Sequence, residues 1–252
     1  MVTKAKSTSQ SLRSAHVGVL NRMSRPLVSV VIPAFNEGRN LEGVLRAVGR
    51  AFELEGMPYE IIVVDDGSTD KTREIAEGHN AVILGSWRNR GKGWALQQGF
   101  EKARGGIIVT MDADGAHDPA EIKKLVFPLL NGADIAMGSR FLGGRGKDST
   151  KRLNILGNNL INFLILLMTG KYVTDSQTGF RAFRREVIED IELTSGGYQL
   201  ETEFTVKTLR NGNAVQEVPI TIRRRQSGDS HLNPLLDGLK IFMTILKSTL
   251  RR

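Results

Sequence analysis

The chain has 252 residues, 40% of them hydrophobic, a formal charge of +8 and no cysteine. That length and apolar content support one large globular core or two small ones, while the missing cysteines exclude disulfides and thiolate metal sites, which fits a reducing cytosol. The positive balance favours an anionic partner, whether nucleic acid, nucleotide or acidic membrane surface, and charge alone does not choose among them.

Residues 1–25 are basic and serine-rich without the apolar run of a secretory signal, so they are expected to form a mobile tail. A first domain is expected over 26–232 and an amphipathic helix over 233–252. From LVSVVIP onward, short β-branched runs alternate with helix-like segments: NLEGVLRAVGRAFE, EIIVVDD, STDKTREIAEG, AVILGS, GKGWALQQGFEKA, GIIVTMD, DPAEIKKLVFPLL and ADIAMGS. Continuous apolar runs such as IIVV suit strands covered on both faces, which predicts an α/β fold with a mostly parallel sheet flanked by helices. Beyond Arg140 the rhythm changes to a Gly- and Lys/Arg-rich loop, an apolar helix, a short strand near EVPITIRRR and a C-terminal helix. INFLILLM at 161–168 is too short to span a bilayer, which takes about 20 apolar residues.

Open sheets gather ligands beyond the carboxyl ends of their strands. The polar loops PAFNEG, DDGSTD, WRNRGKG, DADGAHD and GSRF all fall there. In an extended backbone residues i and i+2 face the same way, so Asp112 and Asp114 can aim at one point and share a Mg²⁺ or Mn²⁺ ion that keeps positions for water and a diphosphate. A short acidic motif is weak evidence by itself, and a turn with a helix cap is the competing reading, for which Asp118 before Pro119 is better placed. Asp65 and Asp66 read as turn chemistry or, for Asp66, as an acceptor for a nucleoside; Asp70 suits capping. Trp87 and Trp94 read as packing residues and His117 as part of a helix start.

Arg145, Lys147, Lys151 and Arg152 precede the apolar helix and either hold a lipid phosphate or form a solvated loop. Leu235, Leu239, Phe242, Leu246 and Leu250 recur at helical spacing with Lys240, Lys247, Arg251 and Arg252 elsewhere on the turn, a pattern for docking on the core or for lying on a membrane.

Taken in order, VSVVIPAFNEGRNL, IIVVDDGSTDKT, NRGKGWALQQGF, MDADGAHDP, GSRF, DSQTGFRAF, ETEFTVKTLRNG and EVPITIRRRQSGDSHL resemble family 2 glycosyltransferases with a GT-A fold. More narrowly they are similar to dolichyl-phosphate mannose synthases and related polyprenyl-phosphate sugar synthases, over about residues 27 to 232. The resemblance implies that Pro33, Phe35 and Glu37 line the nucleoside end of the donor site beside Val64 and Asp66, and that Asp112, Ala113 and Asp114 form the metal-and-diphosphate loop. It implies donor contacts for Arg140, Arg225 and His231, with Asp114, Arg140 and Arg225 taking part in the chemistry. On the acceptor side it implies Asp175, Thr178, Gly179, Phe180, Arg181 and Glu203, joined by Lys151 and Arg152. The sequence departs from the mannose synthases at Gly115-Ala116, where Leu-Gln with a metal-binding glutamine is usual, and at His231, where a lysine is usual.

The function so implied is inverting transfer of a hexose from a nucleotide sugar, GDP-mannose or a UDP-hexose, to dolichyl or polyprenyl phosphate at the cytoplasmic face of a membrane, with Mg²⁺ or Mn²⁺ and without nucleic acid. A lipid phosphate is already anionic, so it needs positioning more than a general base, which accounts for the lack of a catalytic triad. A transferase with another acceptor, a non-catalytic nucleotide-sugar-binding protein, a sugar-phosphate nucleotidyltransferase and a receiver-like module are the rival readings.

Overall fold

The computed structural model describes residues 27–142, 152–223 and 234–250. The expectations placed on residues 1–25, Arg145, Lys147, Lys151, Arg225, His231, Arg251 and Arg252, and on the side chain of Arg152, lie outside what it describes.

The first half repeats strand, helix, strand: β1 (Val28–Ala34), α1 (Leu41–Glu55), β2 (Tyr59–Asp65), α2 (Thr72–Glu77), β3 (Val82–Gly85), α3 (Lys92–Lys102), β4 (Ile107–Thr110), α4 (Ile122–Leu130) and β5 (Ile135–Ser139). The second half adds α5 (Arg152–Thr169), β6 (Arg181–Arg184), α6 (Arg185–Glu189), α7 (Leu200–Arg210), β7 (Val215–Pro219) and α8 (Pro234–Leu250). The strands form one seven-stranded sheet in the order β3-β2-β1-β4-β6-β5-β7. All neighbours are parallel except β6, which runs antiparallel to both β4 and β5.

Side-chain alternation explains why the strands are apolar throughout. In β1, Val30 and Ile32 pack beneath α1 and α4, while Val31 points to the other face and meets Ala95, Leu96 and Phe100 of α3. Phe183 and Phe204 extend that second layer, and Phe100 meets Phe183 edge-on at 5.4 Å. A third cluster joins Ile165 of α5, Val206 and Leu209 of α7, and Ile241 and Ile245 of α8. The C-terminal helix docks through Ile241 and Ile245; of the expected stripe Phe242 is 42% exposed and Leu246 half-buried, and the side chains of Leu235, Leu239 and Leu250 lie outside what is described.

α5 is built inside out. Its polar Asn158 and Asn162 are buried and donate to the Thr174 carbonyl at 2.9 and 2.8 Å, whereas Leu156, Leu160, Phe163 and Leu167 face outward. Among the described residues no helix is long and apolar enough to cross a membrane.

One buried carboxylate ties the sheet edge together. Glu60 accepts from the Ser29 hydroxyl at 2.6 Å and from the Arg104 backbone and guanidinium at 2.7 and 2.9 Å, linking β2, β1 and the turn after α3. Burial pushes its pKa up, but these hydrogen bonds outweigh it and the net direction is down. A depressed carboxylate stabilises the fold above its unfolded value, about 4.3, and loses that contribution as pH falls through the folded value. Glu60→Gln should therefore cost about 1–3 kcal/mol at pH 7. In thermal melts its deficit against wild type should shrink as the pH is taken well below 4; a pH-independent deficit would contradict the assignment.

Candidate active site

The crevice is assembled by loops that hold one another. After β1, Asn36 takes a positive φ of 55°, its amide donates to Ser68 Oγ at 2.9 Å, and its side-chain oxygen accepts from the Thr69 amide at 2.8 Å. Asp70 accepts from Gly38 and Thr72 at 2.9 Å each, so the expected cap also fastens the first loop to the second. Asp65 serves the turn, accepting from the Ser68 amide at 3.0 Å. Asp66 spends both oxygens on the third loop, accepting from the amides of Arg90 and Gly91 at 2.8 and 2.7 Å. Burial raises its pKa despite those bonds.

The fourth loop carries Asp112 and Asp114. Asp114 Oδ1 accepts from the Ala116 amide at 3.0 Å, and His117 turns inward to stack on Phe180 with ring centroids 4.9 Å apart. His117 is thus a buried strut, not a helix-start residue; the cap is Asp118, which accepts from the Ala120 amide. Burial lowers the His117 pKa against the pull of Asp112 and Asp114, keeping a neutral ring whose Nδ1 faces the Asp112 amide at 3.5 Å. Behind the carboxylates stands Gly179, whose carbonyl accepts from the Thr110 hydroxyl at 2.7 Å. A Cβ at Gly179 would fall 2.8 Å from Asp112 Oδ2 and 2.9 Å from Lys92 Nζ. The bare backbone lets the two charged groups pack directly against it.

Lys92, the first residue of α3, extends its ammonium between Asp112 Oδ1 at 2.6 Å and Glu201 Oε1 at 2.7 Å. Burial alone would lower the Lys92 pKa, but the two carboxylates raise it well above the ordinary lysine value. Asp112 is driven the other way: burial pushes up, and the Lys92 charge outweighs it. The second Glu201 oxygen, Oε2, is buried and has no hydrogen-bond partner among the described residues. Close packing fixes this arrangement, since a Cβ on Gly93 would lie 2.4 Å from the Ser195 carbonyl oxygen and the Trp94 amide donates to Gly196 at 3.0 Å.

At the end of β5, Arg140 makes a fork with Asp175: Nε to Oδ2 at 2.7 Å and Nη2 to Oδ1 at 2.6 Å. Burial opposes the Arg140 charge, yet the Asp175 bonds raise its pKa. Asp175 is held by its own amide on Glu217 at 3.0 Å, and Glu217 also accepts from the Thr174 amide and hydroxyl.

These contacts sort the expected site residues. Asp112, Gly179, Arg140 and Asp175 share one end of the sheet with Asp114. Pro33 and Phe35 are half-buried at the end of β1, Glu37 accepts from the Asn40 side chain at 2.6 Å, and Val64 and Ala113 belong to the apolar layers. Thr178, Phe180 and Arg181 are buried and turned into the protein: Arg181 donates to the carbonyls of Ser176, Thr178 and Glu201 and to Thr205 Oγ1, and burial pushes its pKa down to about 10. Glu203, expected toward the acceptor, instead accepts from Thr194, Ser195 and Lys207 and anchors the 194–195 segment. The Asp112 cluster receives Glu201 in its place. Residues two apart on a helix face nearly opposite ways, so ETE offers one glutamate to each side. Sequence reasoning missed Lys92 and Glu201; the signal available for Lys92 was its place in NRGKG at a strand's carboxyl end. Trp94 packs as expected, but Trp87 is 86% exposed beside Arg88.

The carboxylates of Asp112 and Asp114 are hard oxygens, the donor type that could hold Mg²⁺ or Mn²⁺ completed by water and phosphate oxygens. Among the described residues no group of three or more His, Asp or Glu side chains is gathered for an ion.

A mostly parallel sheet with polar loops gathered beyond its strand ends is the architecture of the GT-A glycosyltransferases, and the comparisons with known proteins agree. The family model for glycosyl transferase family 2 matches residues 29–192, and the chain belongs to that family. It is 36% identical over 211 residues to a dolichol-phosphate mannosyltransferase of Pyrococcus furiosus, covering 81% of this chain and 59% of that protein. It is 33% identical over 222 residues to a polyprenol monophosphomannose synthase of Mycolicibacterium smegmatis, covering 81% and 80%. Among solved structures it is similar to glucosyl-3-phosphoglycerate synthase of Mycobacterium tuberculosis in complex with Mn²⁺, UDP-glucose and phosphoglyceric acid, with a TM-score of 0.69, 25% identity and coverage of 90% and 81%.

Gly179→Ala should leave a folded protein with little ligand affinity. The added methyl meets Asp112 and Lys92 rather than the apolar core, so circular dichroism should match wild type while the nucleotide-sugar-dependent rise in melting temperature falls at least tenfold in apparent affinity. Undiminished stabilisation by the ligand would show that nothing binds against Gly179.

Proposed function

We propose that the protein is an inverting transferase that moves a hexose from a nucleotide sugar, GDP-mannose or a UDP-hexose, to dolichyl or polyprenyl phosphate at a membrane surface. The observation that carries the acceptor side is the inside-out α5. Its exposed Leu156, Leu160, Phe163 and Leu167 recur every three or four residues, so they form one stripe; Tyr172, just after the helix, and Phe242 and Met243 of α8, which packs against α5, are exposed as well. No acidic residue occurs from 149 to 174 or from 238 to 252, while Lys171, Lys240 and Lys247 are charged. A stripe of this kind edged by cations suits an anionic bilayer surface, where the apolar face sinks in and the lysines meet headgroups. The same helix is pinned through Asn158 and Asn162 to Thr174, next to the Asp175 that holds Arg140. A phosphate whose lipid tail lies along α5 would thus arrive beside Arg140.

On the donor side, Asp112 and Asp114 would hold a Mg²⁺ or Mn²⁺ ion. Bound there, the ion would neutralise charge that gathers on the departing nucleoside diphosphate. Arg140, whose Nε and Nη2 are fixed on Asp175, offers its Nη1 group to a phosphate or sugar oxygen, and Arg225 and His231 are further donor contacts in this reading. Pro33, Phe35, Glu37 and Asp66 border the nucleoside, Asp66 through the loop that it orders. Attack by the lipid phosphate opposite the leaving group inverts the anomeric centre. The names of the curated relatives support a polyprenyl-phosphate acceptor. The likeness to a phosphoglycerate glucosyltransferase favours, as the second reading, transfer to a soluble phosphorylated acceptor.

Asp114→Asn should retain the fold and lose at least a hundredfold in chelator-sensitive transfer of labelled sugar into a polyprenyl-phosphate fraction. Unchanged turnover would remove the metal assignment. Separately, Leu160→Glu combined with Phe163→Glu should abolish flotation with liposomes containing anionic phospholipid; full flotation of the variant would reject α5 as the membrane face.

A further inference from the structure

The Lys92 ammonium sits where a metal on Asp112 would repel it. Lys92 bridges Asp112 and Glu201 at 2.6 and 2.7 Å, and its side chain is only 17% exposed. A dication brought to Asp112 in this arrangement would lie within a few ångströms of a fixed positive charge in poorly hydrated surroundings, where Coulomb repulsion is weakly screened. Lys92 also has a reason to stay: removing it would leave two part-buried carboxylates facing each other.

We propose, on the basis of the metal-dependent reading above, that Lys92 is a placeholder for the metal and couples its binding to that of the donor. In the ligand-free protein the ammonium neutralises Asp112. The divalent ion takes the Asp112 carboxylate effectively only when a diphosphate enters with it, because the phosphate oxygens give Lys92 a new anionic partner. Glu201 is the pivot. Its Oε1 holds the ammonium, and its unpartnered Oε2, buried on the same cluster, lets Lys92 turn away from Asp112 without losing its countercharge. Gly179 lets the ammonium and the Asp112 carboxylate lie against bare backbone, since a Cβ there would be 2.9 Å from Nζ. Lys92 is in this sense a positioning residue that enforces joint loading of metal and nucleotide sugar.

The consequence is a binding coupling, which is reciprocal and measurable without turnover. Free and bound Mn²⁺ can be counted by electron paramagnetic resonance on the full chain, with and without a saturating nucleoside diphosphate. Wild type should bind bare Mn²⁺ weakly and bind it about 10- to 100-fold more tightly with the nucleotide, within the usual range of such couplings. Lys92→Met should bind bare Mn²⁺ about tenfold more tightly than wild type and show most of the enhancement lost; Lys92→Arg, which keeps the charge, should behave as wild type. If Lys92→Met melts too early to assay, Lys92→Met with Glu201→Gln removes the same competitor with one fewer buried carboxylate and should shift bare Mn²⁺ affinity the same way. Equal bare affinity in wild type and the Met variants, or an undiminished enhancement, overturns the placeholder role and leaves the transferase reading standing. Failure of every protein to bind Mn²⁺ in either condition overturns the metal site and this inference with it.

Discussion

An ammonium group shared by two carboxylates holds the centre of the molecule. Lys92 stands at the first turn of α3, Asp112 just beyond β4 and Glu201 in the first turn of α7, so one cation fastens three elements that are far apart in sequence. A part-buried pair of this kind is costly to assemble and costlier to break, because removing one partner leaves the others desolvated. Its surroundings are correspondingly rigid: the 194–197 segment is clamped by Glu203 on one side and by the Trp94 amide on the other.

The antiparallel strand supplies the second constraint. Because β6 enters between β4 and β5 from the opposite direction, the segment before it, residues 174–180, arrives at the carboxyl ends of its neighbours rather than at the far side of the sheet. Side chains in that segment are consumed in holding it, through Arg181, Phe180 and the Asp175–Glu217 contacts, and the ligand-facing part is left to a glycine and to the arginine that Asp175 orients. The same segment also receives α5, whose Asn158 and Asn162 bond to Thr174 and Ser176, so the helix with the apolar outer face is fastened to the segment that orients Arg140.

The parallel half of the fold was legible because its physics is local. IIVV and GIIVTM are strands buried on both faces, and Asp118-Pro119 marks a helix start whose capping bond the structure contains. The position of the acidic loop beyond a strand end was legible for the same reason, but its geometry was not: β4 stops at Thr110 and Asp114 lies in a turn, so the extended i and i+2 relation does not carry through to it. Three further features were not legible. RAFR is too short to reveal its direction, and only its neighbours make it antiparallel. The choice of Glu201 over Glu203 depends on which face of α7 meets the sheet. Asn158 and Asn162 read as interruptions of an apolar helix, yet they are its buried side, because the Thr174 carbonyl offers them a partner and no apolar layer covers the leucines.

The acceptor decides the account. The most direct measurement supplies the protein with a labelled nucleotide sugar, Mn²⁺, and equal concentrations of a polyprenyl phosphate in anionic vesicles and of phosphoglycerate in solution, across GDP- and UDP-sugars, and partitions the products between lipid and water. Label entering the lipid fraction, and doing so only without chelator, is the result this account predicts. Label found only in a water-soluble phosphorylated product would contradict it and assign the crevice to a soluble acceptor.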